Sequence, residues 1–282
     1  MRLCVLAVLF ACPAVYCQNL PQPLTQVEAC RNFRAAIVQV DSDTMHGTGF
    51  IVAPDGWIIT ALHVVADQKT LIKYGNINVS VVGHPQHIPA DIISPLDNPA
   101  RLRDFAILKV DKVNLPSLDR GSEANVEDGS PIAVIGLPLS ATFGLPVGSI
   151  PPFCLSGTVA AQTAIPLGNL AFVHAVYFQG VSIKGISGAP IISLVTGKVI
   201  GIVSTRLTGI SRGLDEARTS YTNFQSGMQA TMVMSGVDVG KTVISLIDTL
   251  DQQLANGLGS GTGASDAASA LKAAQKNYKK AK

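Results

Sequence analysis

From residue 35 onward the chain is a series of short apolar runs broken by turn residues. The runs Ala35–Val40, Gly47–Ala53, Trp57–Thr60, Thr70–Lys73, Asn78–Val82, Ala90–Ile93 and Phe105–Val110 read as strands, with Pro54-Asp55-Gly56 and Gly75-Asn76 among the turns between them. A linking stretch, Ser117 to Asn125, leads into Val126–Pro138, and the pattern resumes at Cys154–Ala161, Leu170–Phe178, Pro190–Leu194, Val199–Ser204 and Met228–Met234. Many short strands without long helices between them predict an all-β architecture. The two halves carry similar numbers of runs, so the spacing predicts two small barrels, over residues 35–125 and 126–256, with a cleft between them.

Beyond Val237 the period changes. Val239, Val243, Leu246, Ile247, Leu250 and Leu254 recur at helical spacing, and Asn256-Gly257 supplies a stop, which predicts a helix packed on the second barrel. The run from Gly257 to Gly263 has the composition of a flexible linker. Residues after Ser265 are Ala-rich and end in Lys276, Lys279, Lys280 and Lys282. Residues 257–282 are therefore expected to form a flexible, solvated tail, with weak contact to an anionic surface as its interaction. At the other end, Met1-Arg2 precedes an apolar run from Leu3 to Ala11 and then Cys12 to Cys17. A basic start, a short apolar stretch and small residues describe a secretory signal peptide over residues 1–17, too short to cross a bilayer as a helix. The protein is accordingly expected to be exported, periplasmic or extracellular, with residues 18–34 as a Pro-containing lead.

Composition narrows the class. Of 282 residues, 47% are hydrophobic and 14% charged, which suits a globular chain with a sizeable core and excludes a disordered one. A formal net charge of +2 gives no electrostatic footprint for nucleic acid. If cleavage follows Cys17, Cys30 and Cys154 remain, a pair that permits one disulfide or two buried thiols. His84 and His87 have no cysteine or acidic residue near them in sequence and read as part of a polar loop; no zinc pattern is present.

Three places carry candidate chemistry. The strand Trp57–Thr60 runs out into Ala61-Leu62-His63, leaving an imidazole at a strand exit. Asp104 heads an apolar strand, and a buried carboxylate there needs a hydrogen-bond or charge partner that an imidazole N–H would supply. Ser187 lies in Lys184-Gly185-Ile186-Ser187-Gly188-Ala189-Pro190, where glycines allow a sharp loop with converging N–H groups. Each of these alone has an ordinary structural reading.

Together with Gly47-Thr48-Gly49-Phe50-Ile51-Val52, Val126 to Pro138 and Val199 to Ser204, in this order, they make the chain resemble the trypsin-like serine proteases, HtrA-like branch, over roughly residues 35 to 234. The resemblance implies two six-stranded antiparallel β-barrels with the active site in the cleft between them, plus a C-terminal α-helix. It further implies Ser187 as nucleophile, His63 as general base and Asp104 as its orienting carboxylate, with the N–H groups of Gly185 and Ser187 as oxyanion hole and no metal or organic cofactor. Val181, Ser182, Ser204, Thr205 and Arg206 would form the substrate pocket. Val181 stands where trypsin-type enzymes carry an aspartate, so a small or medium aliphatic side chain is expected there rather than Lys or Arg. Ile186 replaces the aspartate with which zymogen-type relatives anchor a new N-terminus, which argues against activation of that kind. Ala189 replaces the second glycine of the usual Ser-Gly-Gly-Pro, and His174 reads as a structural histidine. The expected partners are protein or peptide substrates; by family analogy a trimer would be built on residues 18–34. Too few residues follow the second barrel for the PDZ domain usual in HtrA-like proteins. Two rival readings stand beside a peptidase: a catalytically idle trypsin-fold binding or chaperone-like protein, and an α/β-hydrolase esterase. The esterase fits poorly, since Gly185 to Ala189 lacks the last glycine of Gly-x-Ser-x-Gly and strand–helix alternation is missing.

Overall fold

The computed structural model describes residues 22–81, 86–94, 96–97, 103–138, 151–167, 171–180, 183–204, 219–220, 233–234, 237–238, 242–246 and 259–281. The signal-peptide reading of residues 1–17 lies outside them. In the first half, β1 (Ile37–Ser42), β2 (His46–Ala53), β3 (Trp57–Thr60), β4 (Ile77–Val81), β5 (Ile88–Ile92) and β6 (Ala106–Val110) close an antiparallel barrel in the order β1-β2-β3-β6-β5-β4. Strand alternation explains its apolar runs. Val38, Val40, Ile51, Ile58, Val79 and Leu108 fill the barrel, while Ile37, Phe50, Ile59 and Ile107 face outward into a core shared with the second barrel. With both faces buried, the strands read as nearly continuous hydrophobic stretches.

The second half contributes β7 (Pro131–Gly136), β8 (Phe153–Leu167), β9 (Ala171–Gly180), β10 (Pro190–Ser193), β11 (Val199–Val203), a two-stranded sheet of β12 (Val233–Met234) and β13 (Val237–Asp238), and β14 (Gly259–Gly263). The second barrel closes in the order β10-β11-β14-β9-β8-β7. Ile132, Val134, Val159, Val176, Phe178, Ile186, Ile191 and Ile200 fill it. A third core, which includes Phe50, Trp57, Phe105, Ile135, Leu137 and Ile202, joins the two barrels and covers their outer faces. Burying each of these large side chains stabilises the fold by roughly 1.5–3 kcal/mol before chain entropy is counted.

Three expectations change. Thr70–Lys73 is not a strand: Asp67 Oδ1 accepts from the N–H groups of Lys69 (2.8 Å) and Thr70 (2.7 Å), which turns the chain, and Leu71 takes φ 59°. Lys73 keeps one isolated bridge to Ala66. The helical period from Val237 begins instead with β13; residues 242–246 are helical and the rest of that prediction lies outside the described residues. The supposed flexible tail is the largest correction. Gly259–Gly263 is a strand between β11 and β9, with Gly201 opposite Gly263 and Phe178 opposite Gly259. Ala264–Ala281 is a helix that buries Ala264, Ala267, Leu271 and Ala274 in the third core. Its Tyr278 meets Trp57 of the first barrel edge-on, ring centroids 5.5 Å apart.

The lead segment is also tied down. Helix α1 (Gln26–Phe33) starts with a capping box, Thr25 and Glu28 each bonding the other's backbone N–H. Leu24 N–H donates to Leu194 O at 2.7 Å, and Cys30 is disulfide-bonded to Cys154 of β8 with Cα atoms 5.7 Å apart. Of the two cysteine readings, the structure carries the bridge.

Candidate active site

Helix α2 (Leu62–Val65) is one turn long and follows β3 directly. Such a short helix lacks a side-chain N-cap of its own; Asp104, just before the neighbouring strand β6, supplies one, accepting from His63 N–H at 3.1 Å. The same carboxylate takes the imidazole, with His63 Nδ1 at 2.9 Å from Oδ2 and 3.1 Å from Oδ1. A carboxylate only accepts, so Nδ1 carries the proton and Nε2 is left as the basic nitrogen. Both groups are buried, His63 5% and Asp104 6% exposed. Burial pushes the Asp104 carboxyl upward, but the facing His63, its ring and backbone N–H donors and the Ser204 hydroxyl together hold it below the usual carboxylate range. Asp104 also takes φ 47°, a left-handed conformation that costs energy in a residue with a side chain.

Ser187 is brought to this pair from the second barrel. Its carbonyl accepts from Thr48 N–H at 2.8 Å, and Gly188 N–H donates to Val203 O at 2.8 Å. A methyl group on Gly188 would lie 2.5 Å from Thr60 Oγ1 and 2.7 Å from Ala61 N, so only glycine lets the serine loop approach the strand end that carries His63. Gly47 is equally confined between Val64 and Ser187 O. Ahead of the serine, Ile183 O accepts from Ile186 N–H at 3.2 Å and Gly185 has φ 100°. Those features make a type II turn, the form that needs positive φ at its third residue. Thr48 Oγ1 fixes the turn by donating to Gly185 O at 2.8 Å, while accepting from Leu137 N–H at 2.9 Å.

Ser204 is turned inward. It is 2% exposed and its hydroxyl donates to Asp104 Oδ2. The other expected pocket residues, Val181, Ser182, Thr205 and Arg206, lie outside the described residues. Sequence reasoning missed Thr48 and Gln68, whose Nε2 donates to Asp104 Oδ1 at 2.5 Å. Thr48 stands inside the Gly47-Thr48-Gly49 motif, but its polar contacts reach residues 137 and 185, and sequence distance hides such partners. Ala189 is buried, its methyl packed beside Gly136. His174 Nδ1 lies 3.3 Å from Asp266 Oδ1 and 3.8 Å from Glu123 Oε1, a cluster that seats the N-terminus of the C-terminal helix. His87 gains in space the acidic neighbour it lacks in sequence, with Asp41 Oδ2 3.9 Å away and His46 Nδ1 2.7 Å from the other carboxylate oxygen; His84 lies outside the described residues. Among the described residues no group of three or more such side chains is arranged to hold a metal ion.

Residues 47–202 match the family model described as the trypsin-like peptidase domain. The chain is 29% identical over 167 residues to a probable periplasmic serine endoprotease DegP-like of Chlamydia pneumoniae, covering 59% of this chain and 30% of that protein. It is 26% identical over 233 residues to the mitochondrial serine protease HTRA2 of Bos taurus, covering 73% and 46%. The chain thus spans less than half the length of either relative. A solved HtrA-type protease with a tripeptide shares the fold at TM-score 0.52 and 20% identity, covering 66% of this chain and 56% of that one. The two closed barrels, the site at their junction and the match over residues 47–202 place this chain in the trypsin-like peptidase family.

Proposed function

We propose that the chain is an exported serine endopeptidase acting through Ser187, His63 and Asp104. The observation that carries this reading is the buried His63–Asp104 pair, oriented with Nε2 free to act as base, against which Gly188 brings the Ser187 loop. Ser187 Oγ attacks the peptide carbonyl as His63 Nε2 takes its proton; the proton passes to the leaving amine, and water then hydrolyses the acyl-enzyme by the same relay. Gly185 and Ser187 N–H groups receive the oxyanion, each donor contributing on the order of 10²–10³ in rate. Val181, Ser182, Thr205 and Arg206 set the preference for a small or medium aliphatic residue before the scissile bond. Lys272, Lys276, Lys279 and Lys280, exposed on the C-terminal helix, provide weak contact with an anionic surface. Periplasmic relatives of DegP type support export, and among the described residues no helix is long and apolar enough to cross a membrane.

The test is fluorophosphonate labelling of the mature protein together with hydrolysis of an unfolded protein, for wild type and Ser187→Ala. Both signals are expected in the wild type and neither in the variant. An unlabelled wild type would sink the peptidase reading in favour of an idle binding protein; labelling with ester but no peptide cleavage would point to an esterase.

A further inference from the structure

We infer that Gln68 is a positioning residue for Asp104, a side-chain donor that fixes the carboxylate under His63 and takes up part of its charge. The inference rests on the peptidase reading for its catalytic consequence, though not for the contact itself.

Asp104 faces donors from both barrels. Oδ1 accepts from His63 N–H at 3.1 Å and Gln68 Nε2 at 2.5 Å; Oδ2 accepts from His63 Nδ1 at 2.9 Å and from the Ser204 hydroxyl. The amide orientation follows from chemistry, because the oxygen of Gln68 turned toward a carboxylate would set two acceptors against each other. Gln68 is held where it is by the turn that displaced the expected strand. Asp67 Oδ1 binds the N–H groups of Lys69 and Thr70 and the Thr70 hydroxyl, and Leu71 N–H donates to Asp67 O at 2.8 Å. This turn is built on both sides of residue 68, so the side chain is presented rather than left to find its own place. Among the described residues the charged partner of the carboxylate is His63 on α2; Arg103 is its neighbour in sequence, and Asp67 Oδ1 is engaged by its own turn.

Two effects follow. Asp104 has an unfavourable φ of 47°, and a donor on Oδ1 opposes rotation of the carboxylate out of line with the imidazole. A hydrogen bond to the ionised oxygen also disperses charge on the carboxylate, so removing the donor leaves more negative charge facing the imidazole. Leucine at position 68 has similar reach and no donor. Glutamate has the same shape and sets a second carboxylate against the first.

The experiment uses the full mature chain with Q68L, Q68A and Q68E, each alone and in a Ser187→Ala background. In the active background kcat of Q68L and Q68A is expected to fall by roughly 10-fold, the size of one lost hydrogen bond to a charged group, with KM unchanged and the acid limb of kcat/KM displaced to higher pH. Q68E should lose more near neutrality, with the acid limb displaced further to higher pH than in Q68L. In the Ser187→Ala background, the downfield proton resonance of the His63 Nδ1–H bond should move in Q68L and Q68A, and in a Q68L/D104N double variant no change beyond D104N alone should appear. A resonance and pH profile in Q68L and Q68A that superimpose on the parent would overturn the inference, as would an equal effect of Q68L without the Asp104 carboxylate. A moved resonance in a protein that cleaves no peptide would retain the Gln68–Asp104 coupling and refute the peptidase reading.

Discussion

Ile186 shows how the loop before Ser187 is held without a buried ion pair. Its side chain is 0% exposed and packs in the second barrel among residues that include Val134, Phe178 and Ile191, with Gly136 directly against its Cβ. Apolar burial of one residue thus anchors the turn that holds Gly185, the proposed oxyanion donor. Ile186→Ala should cost about 2–4 kcal/mol, as a cavity opens behind the turn, and urea denaturation measures it. Asp104 sets an acid limit. Its folded carboxyl titrates below the ordinary value of 3.8, so its contribution to stability is fully present above that pH and disappears as pH falls through the lower folded value. Urea midpoints taken from pH 7 down to pH 2.5 should fall more steeply below about pH 4 for the parent than for Asp104→Asn. At this scale, His63, Asp104 and Ser187 stand out in sequence because each sits in a short motif of restricted composition. Gln68 does not, being an ordinary loop glutamine, and Ser204, legible as the end of the Val199–Ser204 motif, turns its hydroxyl to a carboxylate 100 residues earlier instead of to the pocket expected of it.

Among the elements, β14 departs most from what its composition suggests. Gly-Ser-Gly-Thr-Gly has linker chemistry but strand periodicity. A Cβ on Gly259 would strike the Phe178 ring, and one on Gly261 would strike Ile202 O and lie 2.6 Å from Ile191 Cδ1, so the glycines make room where neighbouring strands crowd the barrel. The alternate residues bond to the neighbours of Asp104. Ser260 Oγ donates to Ser204 O at 2.9 Å, Ser204 N–H donates to Ser260 O at 2.8 Å, and Thr262 Oγ1 donates to Arg103 O. Sequence reading weighs glycine as freedom; here it is clearance, which only the packed neighbours reveal. A chain ending at residue 258 should therefore lose cooperative unfolding by circular dichroism and fail to react with fluorophosphonate, where removal of a flexible tail would leave both unchanged.

In the molecule as a whole, the alternation of short runs was enough to read two barrels and the cleft, because strands such as β1, β2, β3, β6, β7, β10 and β11 bury apolar residues on two faces. The third core, which joins the barrels through α1, the C-terminal helix and Trp57, has no such signature, since its members are scattered from Ala29 to Ala274. The Cys30–Cys154 bridge spans 124 residues and binds the lead helix to the second barrel, removing much freedom from the unfolded chain. Replacing both cysteines by serine should lower stability by about 2–4 kcal/mol, read as a shift in urea midpoint that the parent reproduces under reducing conditions.

Order of synthesis gives β14 a further meaning. His63, Asp104 and Ser187 all leave the ribosome before residue 259, yet the strand that closes the second barrel and grips Arg103 and Ser204 comes after them. A partly made chain would thus hold His63, Asp104 and Ser187 and still lack the strand that braces Arg103 and Ser204. Under the proposed function, cutting power would arrive only once residues 259–263 had joined the second barrel, a delay built into the order of the chain.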